Sequence, residues 1–204
     1  RAAEQENAAA QVNLGRMYTK GEGVPKDHKK AVKWYRRAAE QGHANTQFYL
    51  GRMYDKGRGV PIDVQESVWW FRRAAEQGHA TAQFYLGVRY ASGRAVPKDV
   101  QEAVKWYTRA AEQGHAAAQF YLAVRYDKGE GVPEDNKEAV KWYKRAAEQG
   151  NVGAEQALKR LKSLAIECVQ RLVAQRTVLF DPRSFPGHQL TPFSQGPRCP
   201  TSLI

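Results

Sequence analysis

The chain has 204 residues, of which 42% are hydrophobic and 26% are charged, and its net charge is +11. This hydrophobic content is typical of a folded protein and excludes a chain that is disordered throughout. No run of residues approaches the roughly 18 apolar positions that a membrane-spanning helix needs. Because the only two cysteines, Cys168 and Cys199, lie near the C-terminal end, a disulfide framework is also excluded and packing must stabilise the fold.

A motif repeats along the chain every 36 residues. AAEQGH occurs at 38–43, 74–79 and 110–115, and AAEQGN follows at 146–151. A fixed period of this length, without insertions, predicts a stack of helical units. The predicted domains are the end of a truncated preceding repeat at 1–7, four repeats at 8–43, 44–79, 80–115 and 116–151, a closing helix at 152–164, and a tail at 165–204. The sequence is therefore expected to begin inside a repeat.

The first half of each unit has the spacing of a helix, here named helix A. In the second unit Leu50, Gly51 and Tyr54 lie at offsets of three and four, which places them on one helical face. Gly57 follows and tolerates the left-handed conformation that ends a helix. The pattern predicts a helix A of about 13 residues in each unit.

The second half of each unit predicts another helix, here named helix B. Asp63 is a favourable N-cap, and Glu66, three residues later, can accept a bond from the cap amide. The same pair recurs as Asp99 with Glu102 and as Asp135 with Glu138. Gly78 is expected to end the second helix B. Its broad apolar arc should pack against its own helix A and against that of the following unit.

Four short motifs in this pattern carry a resemblance: Leu-Gly-x-x-Tyr, Gly-x-Gly-Val, Ala-x-x-Trp and Ala-Ala-x-x-Gly. Over residues 1–151 the chain closely resembles the Sel-one-like repeats, relatives of the tetratricopeptide repeats. Three positions depart from the pattern: Ala95 and Ala123 replace glycines, and Ser67 replaces an alanine. The resemblance implies an all-α, right-handed superhelical solenoid that acts as a scaffold for other proteins. In bacteria such proteins are often exported, so export is possible here by resemblance alone.

A second face of helix A carries aromatic and basic side chains and is the predicted partner-binding site. In the related tetratricopeptide repeats this face lines a concave groove, and aromatic residues beside arginine are typical of interface cores. The predicted residues are Asn45, Phe48, Tyr49, Arg52, Lys56, Phe84, Tyr85, Val88, Phe120, Tyr121 and Val124, with Arg16 at the more basic first unit. The alternative is that the aromatic rings fill gaps between successive A helices.

Trp69 is a further candidate for partner binding. The equivalent position is Lys33, Lys105 and Lys141 in the other units, on the polar face of helix B. An exposed indole there is a candidate hot spot on the convex side. The alternative is that it packs over Arg73 in a cation–π contact and over the neighbouring unit.

The basic first unit leaves a second function open. The unit carries six cations, which favour binding of a nucleic acid or another polyanion: Lys26, Lys29, Lys30, Lys33, Arg36 and Arg37. A minor alternative is the β-lactam-related hydrolysis linked to a cysteine-rich branch of the family. That chemistry needs Ser-x-x-Lys, which the sequence lacks. We expect no enzymatic activity and no cofactor.

The remaining signals favour structural roles. His43, His79 and His115 recur once per unit in the link between helices, too far apart to share a metal ion, and are predicted turn residues. Residues 165–204 hold most of the prolines and are predicted to be an irregular tail, disordered or not native, although residues 165–175 could extend the closing helix by a few turns. Cys168 and Cys199 are expected to be free thiols. The partner and the compartment stay open.

Overall fold

The computed structural model of this protein describes residues 7–179. Within them lie nine α-helices and no strands. The helices are α1 (Ala8–Lys20), α2 (His28–Glu40), α3 (Ala44–Lys56), α4 (Val64–Glu76), α5 (Ala80–Ser92), α6 (Val100–Glu112), α7 (Ala116–Lys128), α8 (Asn136–Glu148) and α9 (Val152–Leu179). Odd-numbered helices up to α7 are the A helices, and even-numbered helices are the B helices. The predicted fold class, an all-α right-handed superhelical solenoid, is confirmed.

The helices begin and end at the predicted cap residues. The Asp63 carboxylate accepts a hydrogen bond of 2.9 Å from the Glu66 amide at the start of α4. The same cap is formed by Asp27, Asp99 and Asp135 at α2, α6 and α8. Gly57 ends α3 with φ 64°, and Gly78 follows α4 with φ 87°. Both glycines thus supply the left-handed conformation that a helix end requires.

The predicted return bond from the glutamate to the cap amide was wrong. Glu66 instead accepts a bond of 3.0 Å from the Trp70 indole, and Glu102 accepts one of 2.9 Å from the Lys105 ammonium. Glu138 makes the equivalent contact with Lys141. Each donor lies within one helical turn after the glutamate, so the carboxylate turns toward the helix and away from the cap.

Each helix packs against the next one along the chain, so neighbouring units share their cores. Leu50 on α3 and Trp70 on α4 lie in one buried cluster with Val32 on α2. A side-chain carbon added to Gly51 would lie 2.8 Å from the Phe71 ring. The missing side chain therefore lets α3 and α4 approach closely.

A ladder of glutamines, not predicted from the sequence, joins the units. The Gln47 amide donates to the Ala39 carbonyl at 3.0 Å, and Gln77 donates to Gln47 at 2.7 Å. The pattern recurs with Gln83 bound to Ala75 and Gln113, and with Gln119 bound to Ala111 and Gln149. This glutamine ladder gives a second hydrogen bond to carbonyls at the C-terminal ends of the B helices, which also accept from the backbone amide of the following glycine. It explains why glutamine recurs within AAEQGH.

One buried ion pair also joins two units. Asp55 at the end of α3 accepts a hydrogen bond from the Arg89 guanidinium on α5, and both side chains are buried. Burial by itself raises the pKa of Asp55, but Arg89, helped by Lys56, holds that pKa below its usual value. Because removal of either partner would leave a buried charge unpaired, the pair fixes the stacking of the second and third units.

Helix α9 closes the stack and continues beyond the predicted boundary. Its first turns bury Ala154 and Leu161 against the last unit, and the Arg160 guanidinium donates to Asp127. The helix extends past Leu164 to Leu179, so it includes the expected extension over residues 165–175, and the start of the irregular tail at residue 165 was wrong. The reason is that no glycine or proline interrupts residues 154–179.

The prediction that both cysteines are free thiols was wrong for Cys168. That residue is disulfide-bonded. Cys199 lies outside the described residues, as does the rest of the predicted tail after residue 179. Among residues 7–179, no helix is both long enough and apolar enough to cross a membrane.

Candidate functional site

The phenylalanines of the predicted site pack inside the stack. Phe48 is only 7% exposed, and its ring stacks on His79 of the next link with centroids 4.8 Å apart. Phe84 stacks in the same way on His115 at 4.9 Å. Phe120 lies against Tyr143 of its own helix B. These rings fill space between units, as the alternative interpretation expects, and present little surface to a partner.

The tyrosines beside them face solvent more openly. Tyr49 is 57% exposed and Tyr121 is 39% exposed, whereas Tyr85 is half-buried. Each lies on the phenylalanine of the preceding unit where that residue is present. The ring centroids are 5.7 Å apart for Phe48 and Tyr85 and 5.6 Å apart for Phe84 and Tyr121. The result is a row of rings along the A helices, rigid underneath and exposed at its tyrosines. We name Phe48, Tyr49, Phe84, Tyr85, Phe120 and Tyr121 the aromatic row.

The row stops at the first unit, where Val12 occupies the phenylalanine position. Tyr49 stacks on Tyr35 of α2 with ring centroids 6.4 Å apart, as Tyr85 lies on Phe71 and Tyr121 on Tyr107 in the next two units. Beside Tyr49 lies a cavity of about 330 Å³, which we name the repeat 1 cavity. It is lined by Val12, Arg16, Thr19, Lys20, His28, Tyr35, Tyr49, Arg52, Met53, Lys56 and Arg58. Four residues of the predicted site, on α1 and α3, therefore meet at one place.

The repeat 1 cavity is strongly cationic. Its lining includes five arginines and lysines and no carboxylate. The Arg52 guanidinium lies 5.6 Å from the Tyr85 ring centroid and 6.0 Å from that of Phe48, which fixes its position. Among residues 7–179, buried Nε of Arg52 and buried Nδ1 of His28 have no hydrogen-bond partner. An acceptor bound in the cavity could satisfy the arginine donor.

Several predicted residues lie outside the cavity. Asn45 is exposed on the first turn of α3. Val88 and Val124 are half-buried and pack against the core of the third and fourth units. They occupy the positions held by Arg16 and Arg52 in the first two units, so the arginine at this position of helix A is confined to those units.

Trp69 makes the cation–π contact with Arg73 that the alternative interpretation expects. Its ring packs edge-on against Trp70 at 4.4 Å, and the Arg73 guanidinium lies 4.8 Å from its centroid. The side chain is nevertheless 46% exposed. Trp69 lies on α4, so it does not join the repeat 1 cavity. A partner on the convex side would be a separate site.

Two of the three repeated histidines, which were predicted to be turn residues, cap the helices that follow them. Nδ1 of His79 accepts a bond of 3.1 Å from the Ala82 amide, and His115 caps α7 in the same way at 3.2 Å. Burial lowers the pKa of both histidines. His43 has the cap conformation but no side-chain bond to α3, and it is exposed. Among residues 7–179, no three histidine, cysteine or acidic side chains are grouped to hold a metal.

Seven cavity residues were not among the predicted site residues: Val12, Thr19, Lys20, His28, Tyr35, Met53 and Arg58. They come from two A helices, one B helix and a loop, and no local motif connects them. One sequence signal could have located the cavity. Val12 is the single departure in a position that is phenylalanine in the three later units.

The Sel1 repeat model matches residues 8–43, 44–79, 80–115 and 116–151. The chain belongs to the Sel1 repeat family. Sel1 repeat proteins commonly act as protein-interaction scaffolds and are generally non-catalytic. No curated protein matches the chain significantly.

Solved structures of bacterial Sel1 repeat proteins have a similar fold. A Sel1 repeat protein from Oxalobacter formigenes is 44% identical, with a TM-score of 0.70, over 74% of this chain and 62% of that one. The protective antigen c5321 of uropathogenic Escherichia coli is 41% identical, with a TM-score of 0.73, over 77% of this chain and 34% of that one. Cysteine-rich protein B of Helicobacter pylori is 26% identical, with a TM-score of 0.52, over 65% of this chain and 95% of that one. The chain thus spans less than two thirds of the first two structures.

Proposed function

We propose that this Sel1 repeat protein binds a protein or peptide along the exposed face of its A helices. The observation that carries the proposal is the aromatic row, in which Tyr49 and Tyr121 are exposed above closely packed rings. A tyrosine held by its neighbours loses little conformational entropy on binding and offers both apolar surface and a hydroxyl. Such a surface suits a protein partner better than a small ligand, because it extends over successive units.

The family resemblance supports the choice of this face. In the related tetratricopeptide repeats helix A lines the concave side, where an extended partner can contact several units at once. The arginines that line the repeat 1 cavity lie at the first two units, so the partner is expected to bind with its acidic part at that end. Binding then has a direction along the solenoid.

Polyanion binding through α2 is the second candidate, and its exposed lysines favour it. Several α2 cations, however, already have partners. Lys30 lies 3.8 Å from the Asp27 carboxylate, Arg36 lies 3.8 Å from that of Glu66, and the Arg37 guanidinium lies 5.0 Å from the Trp34 ring centroid. A steep fall of affinity with salt would be the sign of a polyanion site.

The test begins with capture of partners by the full chain, followed by purification of the captured protein and measurement of its Kd. Tyr49→Ala with Tyr121→Ala should weaken binding at least about tenfold, because two exposed aromatic contacts are removed. Trp69→Ala with Ile62→Ala is the matched control, since both side chains are exposed on other surfaces. Loss of binding in the control with retention in the tyrosine variant would contradict the helix A face.

A further inference from the structure

The repeat 1 cavity exists because one ring is missing. In the second and third units the phenylalanine contacts the next tyrosine and stacks on the next link histidine. Val12 cannot reach its counterparts, Tyr49 and His43. Both are consequently more exposed than their equivalents in the next unit, Tyr85 and His79.

The cations around this gap are not neutralised by the protein. Arg16 and Arg58 make no ion pair with any residue in 7–179, and Arg52 is held by rings alone. Lys20 and Lys56 have single acidic neighbours, Glu22 at 3.3 Å and Asp55 at 3.4 Å. Asp55 is already bound by Arg89. The cavity therefore keeps an excess of positive charge.

The lining of the cavity combines apolar and cationic side chains. Val12, Met53 and the rings of Tyr35 and Tyr49 supply apolar surface beside the five cations. A volume of about 330 Å³ is at the lower end of the range for binding pockets and accommodates one or two side chains. A nucleic-acid strand needs an extended basic track with stacked bases, whereas this cavity is short and its basic residues end at the second unit.

We propose that the repeat 1 cavity binds an acidic peptide segment, with one apolar side chain inserted against Val12, Tyr49 and Met53 and flanking carboxylates bound by Arg16, Arg52 and Arg58. This inference rests on the proposed function and names the partner's chemistry at one end of the helix A face. Bidentate pairing with carboxylates is the contact that arginine makes best. The apolar and cationic side chains of the lining together favour a peptide that alternates acidic and apolar residues.

The probe is a fluorescein-labelled 12-residue peptide of alternating glutamate and leucine, titrated with the full chain by fluorescence polarisation. Val12→Phe is the decisive variant, because it restores the ring of the later units and fills the cavity without changing any charge. We expect it to weaken binding at least about tenfold, the equivalent of about 1.4 kcal/mol. Its thermal stability should not fall, since the new ring can stack on His43 as Phe48 does on His79.

A second variant tests the charges. Arg16→Gln with Arg58→Gln should also weaken binding about tenfold or more, because charge-assisted bonds are lost. Arg94→Gln with Lys98→Gln is the matched control: it removes the same charge from the third unit, and Arg94 is the equivalent of Arg58 one repeat later. The control should bind within about twofold of the unaltered chain.

Three results would overturn the proposal. Unchanged binding in Val12→Phe would show that the cavity is not used. Equal losses in the arginine variant and its control would show a general charge effect. Tighter binding of single-stranded oligothymidylate, with a steep salt dependence, would favour a polyanion.

A captured partner separates this inference from the proposed function. If the Val12→Phe variant still binds that partner and the tyrosine variant does not, this inference fails while the proposed function stands.

Discussion

Among the glycines of the described residues, Gly59 has the least room for an added side-chain carbon. It lies in the loop between α3 and α4 with φ 76°, and a side-chain carbon there would be 2.2 Å from the His28 carbonyl oxygen. Ala95 occupies the equivalent position one unit later with φ 66°, so this conformation itself admits alanine. At Gly59 the contact with the preceding unit is therefore the stronger constraint.

We predict that Gly59→Ala destabilises the protein more than Gly78→Ala. Gly78 has φ 87° and nothing within 4 Å of the added carbon, so its substitution should cost only the left-handed strain of about 1–2 kcal/mol. Gly59→Ala adds a backbone clash and should cost about 1–3 kcal/mol more. Urea unfolding followed by circular dichroism measures both. Equal midpoints would mean that the first two units can separate at no cost.

Helix boundaries were predictable at the residue scale because they depend on local chemistry. Asp63 and Gly57 act within one turn of their own position, so the sequence alone indicates where α4 begins and α3 ends. The hydrogen bonds of the glutamates were not predictable, since the Glu66 carboxylate can accept from the cap amide or, as it does, from the Trp70 indole. That choice depends on side-chain packing, which no local pattern encodes.

At the scale of the helices, the glutamine ladder is the main polar link between units. Gln47, Gln83 and Gln119 are buried, and each donates to the preceding helix B and accepts from the exposed glutamine that follows its own helix B. Glutamine has the two donors and the acceptor that this position requires. An apolar residue of the same length could fill the space but would make neither of these hydrogen bonds.

We predict that Gln83→Met destabilises the protein by about 1–3 kcal/mol, because the volume is kept while two buried hydrogen bonds are lost. The free energy of unfolding from urea titration is the measurement. Gln101→Met, on the exposed surface of α6, is the control and should change stability by less than about 0.5 kcal/mol. Indistinguishable values for the two variants would mean that the ladder contributes nothing to the junction.

The candidate site was predictable in part, for a reason that lies in the helices. Helical spacing placed Tyr49 and Arg52 on one face, and the structure brings both to the repeat 1 cavity. Spacing could not indicate that Phe48 turns into the stack, because His79, on which it packs, lies 31 residues later. Whether an aromatic residue fills the core or meets solvent depends on the neighbouring unit.

At the scale of the whole molecule, the solenoid has no single central core. Every unit depends on its neighbours, and the last one depends on α9. The first turns of α9 supply Ala154 and Leu161 to the core of the fourth unit. Removal of these turns would expose the end of the stack to water.

We predict that a chain ending at residue 151 is less stable than one ending at residue 164. The shorter chain loses the buried Leu161 side chain, worth about 1.5–3 kcal/mol, and the Arg160 contact with Asp127. Thermal unfolding followed by circular dichroism compares the two. A shorter chain that unfolds at the same temperature would show that the fourth unit closes the stack without α9.

The regular junctions also bear on how such a chain can change its length. Without residues 80–115, Gln119 would reach the Ala75 carbonyl in place of Gln83, and Arg125 would lie beside Asp55 in place of Arg89. A gene that loses the 36 codons of residues 80–115 therefore keeps these two contacts between units. Because the later units carry phenylalanine where the first has Val12, duplication of a later unit lengthens the solenoid without copying Val12 and its cavity.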